Sequence, residues 1–109
     1  MPVQIVKDGR VLNAFLSGEI DHHTAPAVRE KIDRFVIEYK PKVLRLYFRD
    51  ISFMDSSGVG LVMGRYKQAL NIGCEVEIFD LSERDEKIMK MSGLTKLVGF
   101  KKTPVAEKK

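Results

Sequence analysis

The chain carries a single cysteine, Cys74, in 109 residues, so no disulfide can form within it and a reducing compartment is its natural setting. No apolar run approaches the ~20 residues of a membrane-spanning helix. No charged-then-apolar leader follows Met1, and a cytoplasmic protein that spans no membrane is expected. Charge of one sign is scarce on the body. The formal net charge is +4, of which the four lysines set against Glu107 in the segment Lys101–Lys109 supply +3. Elsewhere acids and bases are interleaved, whereas a nucleic-acid footprint needs bases gathered on one folded face. Direct nucleic-acid binding is therefore not expected.

Catalytic signatures are missing as well. A serine nucleophile at a strand-to-helix elbow reads G-x-S-x-G, whereas this chain reads Met54-Asp55-Ser56-Ser57-Gly58. Gly58, Gly60 and Gly64 lack the lysine-serine ending of a P-loop and the spacing of a dinucleotide fold. His22 and His23 are the only histidines, and adjacent residues rarely chelate one ion. With no second Cys/His pair to complete a coordination shell, neither a metal nor another cofactor is expected.

What is present reads as one α/β domain, since this length supports a single core. Val3–Val6 and Val11–Leu16 are apolar segments around Asp8-Gly9, which suits a tight hairpin turn. Gly18 is expected to end the second strand. Thr24 is a plausible N-cap, with Pro26 in the first turn of a helix whose stripe is Ala25, Val28, Ile32, Phe35, Val36 and Tyr39. Lys40-Pro41 closes that helix. Val43–Phe48 follows as a buried strand. A helix beginning near Ser57 then carries Val59, Val62, Met63, Tyr66, Ala69 and Leu70 and stops at Gly73. Cys74–Phe79 mostly alternates apolar with charged and suits a strand near a sheet edge. Ser82-Glu83-Arg84-Asp85 has capping-box spacing and opens a third helix with Ile88, Met89 and Met91, stopped by Gly93. Leu97–Phe100 is expected as the last strand.

The order β-β-α-β-α-β-α-β implies a mixed, mostly parallel sheet with an antiparallel hairpin at its start. The domain is taken as residues 1–101, followed by a flexible basic tail at 102–109. Right-handed crossovers bring the loops after parallel strands to one rim, here Gly18–Thr24, Arg49–Ser57 and Asp80–Ser82. Asp21, His22, His23 and Ser56 can then be neighbours. The corner Asp55-Ser56-Ser57-Gly58 is the focus, because an apolar strand there hands over to a helix start whose N–H groups are open to an anion or a partner. Asp55 or Ser56 could serve there only as an N-cap. Glycines at 58 and 60, unfavourable by roughly 1 kcal/mol each against alanine inside a helix, point instead to a helix start that another backbone must approach closely.

Several stretches together resemble one family. Ser17-Gly18-Glu19-Ile20-Asp21-His22-His23-Thr24-Ala25, Ser52-Phe53-Met54-Asp55-Ser56-Ser57-Gly58-Val59-Gly60, Gly64-Arg65-Tyr66-Lys67-Gln68 and Met91-Ser92-Gly93-Leu94 are similar to the STAS-domain anti-sigma factor antagonists. The similarity covers nearly the whole chain and is nearest the sporulation branch that acts on the sigma-F anti-sigma kinase. Val59 stands where leucine is common, and the lysine-rich tail departs from the pattern. The resemblance implies a switch protein without catalysis of its own. Its partner would be an anti-sigma factor that is also an ATP-dependent serine kinase. The unphosphorylated antagonist would bind that partner and free the sigma factor, phosphorylation would end binding, and a PP2C-type phosphatase would reset the switch. The acceptor implied is the first serine of Asp-Ser-Ser-Gly, Ser56, with Ser57 the alternative. Partner contacts implied are Asp21, His22, His23, Thr24, Asp55, Ser56, Ser57 and Gly58. A STAS module of a general-stress pathway, or a small-ligand or nucleotide sensor using the same rim, are the other readings.

Overall fold

A computed structural model describes residues 2–104. Strand β1 (Val3–Asp8) pairs antiparallel with β2 (Val11–Ile20) through a two-residue loop whose first member, Gly9, takes φ +61°. Primed hairpin turns demand that positive φ, and the Asp8-Gly9 expectation is met. Helix α1 (Ala25–Tyr39) buries Val28, Ile32 and Val36, with Ala25, Phe35 and Tyr39 packed at their margin. It ends on Lys40 in a left-handed conformation, immediately before Pro41. Strand β3 (Val43–Met54), helix α2 (Ser57–Leu70), strand β4 (Glu75–Phe79), helix α3 (Glu83–Met91) and strand β5 (Gly99–Lys101) follow, with one 3-10 turn at Leu94–Lys96. The sheet order is β1-β2-β3-β4-β5, and every pair after the first is parallel. The expected mixed sheet and element order are present.

Alternation in the central strands separates two faces. Leu12, Ala14, Leu16, Leu44, Leu46, Phe48, Val76 and Ile78 join Val28, Ile32, Val36, Leu61 and Val62 of the helices in one core. The opposite face carries a row of rings across β2, β3 and β4. Phe15 stacks on Tyr47 at 4.4 Å and Tyr47 on Phe79 at 4.8 Å, each pair contributing about 0.5–1.5 kcal/mol beyond its buried area.

Several boundaries differ from the sequence reading. Gly18 does not end β2. It takes φ +80° beside a register shift, and the strand continues to Ile20 opposite Met54. β3 likewise continues past Phe48 through most of the segment expected as a loop. Two bulges on the β2–β3 ladder let the strands bend while Ile20 and Met54 still reach the core. In α2 the buried face includes Leu61 and Arg65, while Leu70 is exposed. Met91 is also exposed, since two residues of helix turn it away from the buried Met89. The last strand is Gly99–Lys101, and Leu97 precedes it as an exposed residue. Thr103 is tied to Asp80 by its N–H at 2.8 Å and its hydroxyl at 2.6 Å. Residues 105–109 of the expected tail lie outside the described residues.

Candidate functional site

The segment after β2 locks on itself before α1 begins. Asp21 Oδ1 accepts the N–H groups of His23 at 2.8 Å and Thr24 at 3.0 Å. The Thr24 hydroxyl accepts the Asp21 N–H at 3.0 Å and donates to the Glu19 carbonyl at 2.8 Å. These backbone bonds, Thr24 first and His23 second, hold the Asp21 carboxyl below its ordinary pKa. Thr24 was expected to cap α1, but its hydroxyl makes no cap bond and its backbone is already helical. The Asp21 carboxylate instead bonds the N–H groups of His23 and Thr24 just ahead of the helix, because its short side chain can bond its own backbone two and three residues on. His22 and His23 stand exposed, their rings 4.0 Å apart.

The strand-to-helix corner is joined to that loop by one bond, from the Asp55 N–H to the Ile20 carbonyl at 3.1 Å. Parallel pairing of β2 and β3 therefore brings the Asp21 and Ser56 segments onto one rim. Within the corner, Asp55 Oδ1 accepts the Ser57 N–H at 2.7 Å, which satisfies an N–H at the start of α2. Ser56 occupies the N-cap position at φ −64° and ψ −12°, yet its side chain makes no cap bond and is exposed. Ser57 is half-buried. Gly58 is buried, and a Cβ there would collide with Sδ and Cγ of Met54. Its close neighbour within this molecule is thus the Met54 side chain, where the sequence suggested close approach by another backbone. Gly60 is different, since a Cβ on it would meet nothing within 4 Å.

Between the starts of α1 and α2 runs an open cleft of about 420 Å³, lined by His22, Pro26, Arg29, Ser57, Gly60 and Gly64 among others. The buried Arg65 also lines it, with Nε 2.7 Å from Asp33 Oδ1 of α1. Desolvation lowers the arginine's pKa and raises the aspartate's, while each partner's opposite charge resists the shift. The pair approaches closely without a well-directed N–H···O bond, so it acts as an ion pair tying α1 to α2. Among the described residues no group of three or more His, Cys, Asp or Glu side chains is placed to hold a metal ion. Nor is any helix there long and apolar enough to cross a membrane.

One residue at this rim was not singled out in the sequence. Arg84, in the first turn of α3, donates from Nη1 to the Met54 carbonyl at 3.3 Å and to Asp85 Oδ1 at 3.2 Å. Its guanidinium carbon lies 5.6 Å from the centre of the half-exposed Phe53 ring. Ser82 Oγ accepts the Asp85 N–H at 3.1 Å, so the expected cap of α3 is present. In the sequence Arg84 stood only as a member of the capping stretch Ser82-Glu83-Arg84-Asp85, two residues past the rim loop Asp80–Ser82.

Comparison with known proteins accords with this architecture. The STAS domain family profile matches residues 2–106. The anti-sigma F factor antagonist of Paenibacillus polymyxa is 38% identical over 88 residues, spanning 81% of this chain and 75% of that one. The anti-sigma-B factor antagonist of Listeria monocytogenes is 32% identical over 95 residues, 87% of this chain and 82% of that one. The anti-sigma factor antagonist SpoIIAA in its unphosphorylated form superposes with a TM-score of 0.82 at 29% identity, covering 96% of this chain and 90% of the other. The phosphorylated form of SpoIIAA, described as a Bacillus cell fate determinant, superposes with a TM-score of 0.76 at 29% identity, covering 96% and 94%. A mixed sheet with its hairpin first, a rim built by the ends of β2 and β3, and relatives at these identities lead to one conclusion: the chain belongs to the STAS domain family, among the regulatory anti-sigma factor antagonists.

Proposed function

We propose that this protein is a partner switch controlled by phosphorylation of Ser56. In the unmodified state its rim, Asp21, His22, His23 and Thr24 together with Asp55, Ser56, Ser57 and Gly58, docks on a cytoplasmic anti-sigma factor that is also an ATP-dependent serine kinase. Docking frees the sporulation sigma factor, the kinase then modifies Ser56, and a PP2C-type phosphatase restores the hydroxyl. The observation that carries this reading is the division of labour at the corner. Asp55 satisfies the helix start, leaving the Ser56 hydroxyl exposed and without a structural duty. SpoIIAA, to which the chain is similar, has been solved in both unphosphorylated and phosphorylated forms, which supports a switch of this kind.

The magnitudes favour release without refolding. A phosphate adds about −1.5 to −2 charges at pH 7, and at a helix N-terminus a negative group is favourable by roughly 0.3–1 kcal/mol. Inside a docked interface the same group must be desolvated against atoms arranged for a hydroxyl, and a mismatched buried charge costs about 2–5 kcal/mol. At roughly 1.4 kcal/mol per tenfold, affinity falls by about 30- to several-thousand-fold. Incubation with the anti-sigma kinase and ATP, followed by mass spectrometry, should place one phosphate on Ser56. A Ser56→Ala variant should bind and never be released, and continued incorporation into it would move the acceptor to Ser57. The 32% identity to a sigma-B antagonist supports a second reading, a general-stress partner. Pull-down with each purified kinase separates the two.

A further inference from the structure

We propose that Arg84 is the intramolecular partner of the phosphate on Ser56, so that the modified rim is a rebuilt surface and not merely the old one with a charge added. The inference rests on the reading of Ser56 as acceptor and concerns what the protein itself does with the group.

Arg84 already stands at the corner. Its Nη1 is seated on the carbonyl of Met54, two residues before Ser56, and two Cα steps span at most about 7.6 Å. On this proposal a change of side-chain rotamer carries the guanidinium from that carbonyl to the group on Ser56. What holds it now is weak. Its bonds to the Met54 carbonyl and Asp85 are 3.3 and 3.2 Å, long against the ~2.7–2.9 Å of a good charge-assisted bond, and its side chain is 61% exposed. A phosphate dianion offers two parallel acceptors to the guanidinium fork, the geometry for which arginine is suited.

Other titratable and charged groups share the rim. His22, His23 and Arg29 lie on the α1 side, Asp21 and Asp55 are occupied by backbone N–H groups, and Glu83 and Asp85 flank Arg84. Among the described residues Arg84 is the cation hydrogen-bonded to the backbone just before Ser56. When it turns to the phosphate it leaves the face of Phe53, which is already 43% exposed. The phosphorylated protein then presents an uncovered aromatic ring and a neutralised arginine, a surface that an enzyme removing the phosphate can distinguish from the docking surface.

The test uses full-length protein with phosphoserine genetically encoded at position 56, compared as wild type, Arg84→Gln and Arg84→Lys. Phosphorus NMR should show the second phosphate ionisation of the wild type below that of Arg84→Gln by about half a pH unit, the displacement that an exposed charge pair produces, with Arg84→Lys in between. Equal midpoints in wild type and Arg84→Gln overturn the proposal. A second reading needs no variant. The Arg84 Nε–H resonance of the phosphorylated wild type should move with the phosphate titration, and a resonance unmoved through it overturns the proposal even if Arg84→Gln fails to fold. Because the phosphoserine is built in, failure here removes only the role of Arg84. The kinase's choice of Ser56 is read separately, by mass spectrometry of kinase-treated wild-type protein.

Discussion

At the residue scale, Asp55 and Ser56 divide two jobs that a single N-cap residue often combines. The carboxylate serves the backbone and the hydroxyl is left over. Ser56→Ala should therefore leave unfolding stability within about 0.5 kcal/mol of wild type, as surface changes generally do. Asp55→Ala should lower it by about 0.5–2 kcal/mol, the cost of a lost cap. Urea denaturation of both variants checks the contrast, and equal losses would mean that Ser56 is structural after all. Asp21 makes a pH prediction. Its folded-state pKa lies below the ordinary 3.8 because the carboxylate accepts two backbone N–H bonds. A depressed carboxyl pKa contributes stability that is fully present above 3.8 and is lost as pH falls through the folded value. A carboxyl-detected NMR titration should find the midpoint below 3.8, and Asp21→Asn should flatten the acid limb of the stability curve.

At the element scale, the glycines of α2 have different reasons to be there. Gly58→Ala drives a methyl into the Met54 side chain, and overpacking of this kind costs about 1–3 kcal/mol, the lower end applying if the flexible methionine yields. Gly60→Ala meets open space and should stabilise the isolated helix by up to about 1 kcal/mol. In the proposed docking it should weaken binding, since the methyl stands on the wall of the cleft. Thermal unfolding and kinase pull-down of the two variants should thus move in different directions for Gly60→Ala and together for Gly58→Ala. The strand ends are the second lesson at this scale. Ser17-Gly18-Glu19 and Arg49-Asp50 look like loop sequence because they are polar, but they extend a ladder whose bulges keep Ile20 and Met54 inside. A polar stretch on a bent strand and a polar loop share one composition.

At the scale of the whole molecule, the cleft depends on α1 and α2 being held at a set separation, and the Asp33–Arg65 pair does part of that work. Removing one partner of a buried pair costs about 3–5 kcal/mol, because the other charge stays buried alone. The loss at Asp33→Asn should fall toward the lower end, as the Asp33 side chain is 25% exposed. Replacing both, as Asp33→Leu with Arg65→Met, should recover much of the loss and leave Asp21 and Ser56 in place. Denaturation of the single and double variants tests this, and additive losses would show that the pair is not coupled. From the sequence alone followed the element types and their order, the hairpin at Gly9, the cap at Ser82 and the shared rim. Each is encoded by periodicity or turn chemistry within a few neighbouring residues, or by the handedness of a crossover. Tertiary structure alone decided that β2 and β3 run on to Ile20 and Met54, that Gly58 is spoken for by Met54, and that Arg65 is buried against Asp33. It also decided that Arg84 reaches the Met54 carbonyl at the strand-to-helix corner. These depend on groups brought together across 30 or more residues of chain, or on packing inside a corner that local pattern does not reveal. The corner Asp55-Ser56-Ser57-Gly58 was visible as a string of letters, but which residue caps, which packs and which is left free was settled by the neighbours that the fold supplied.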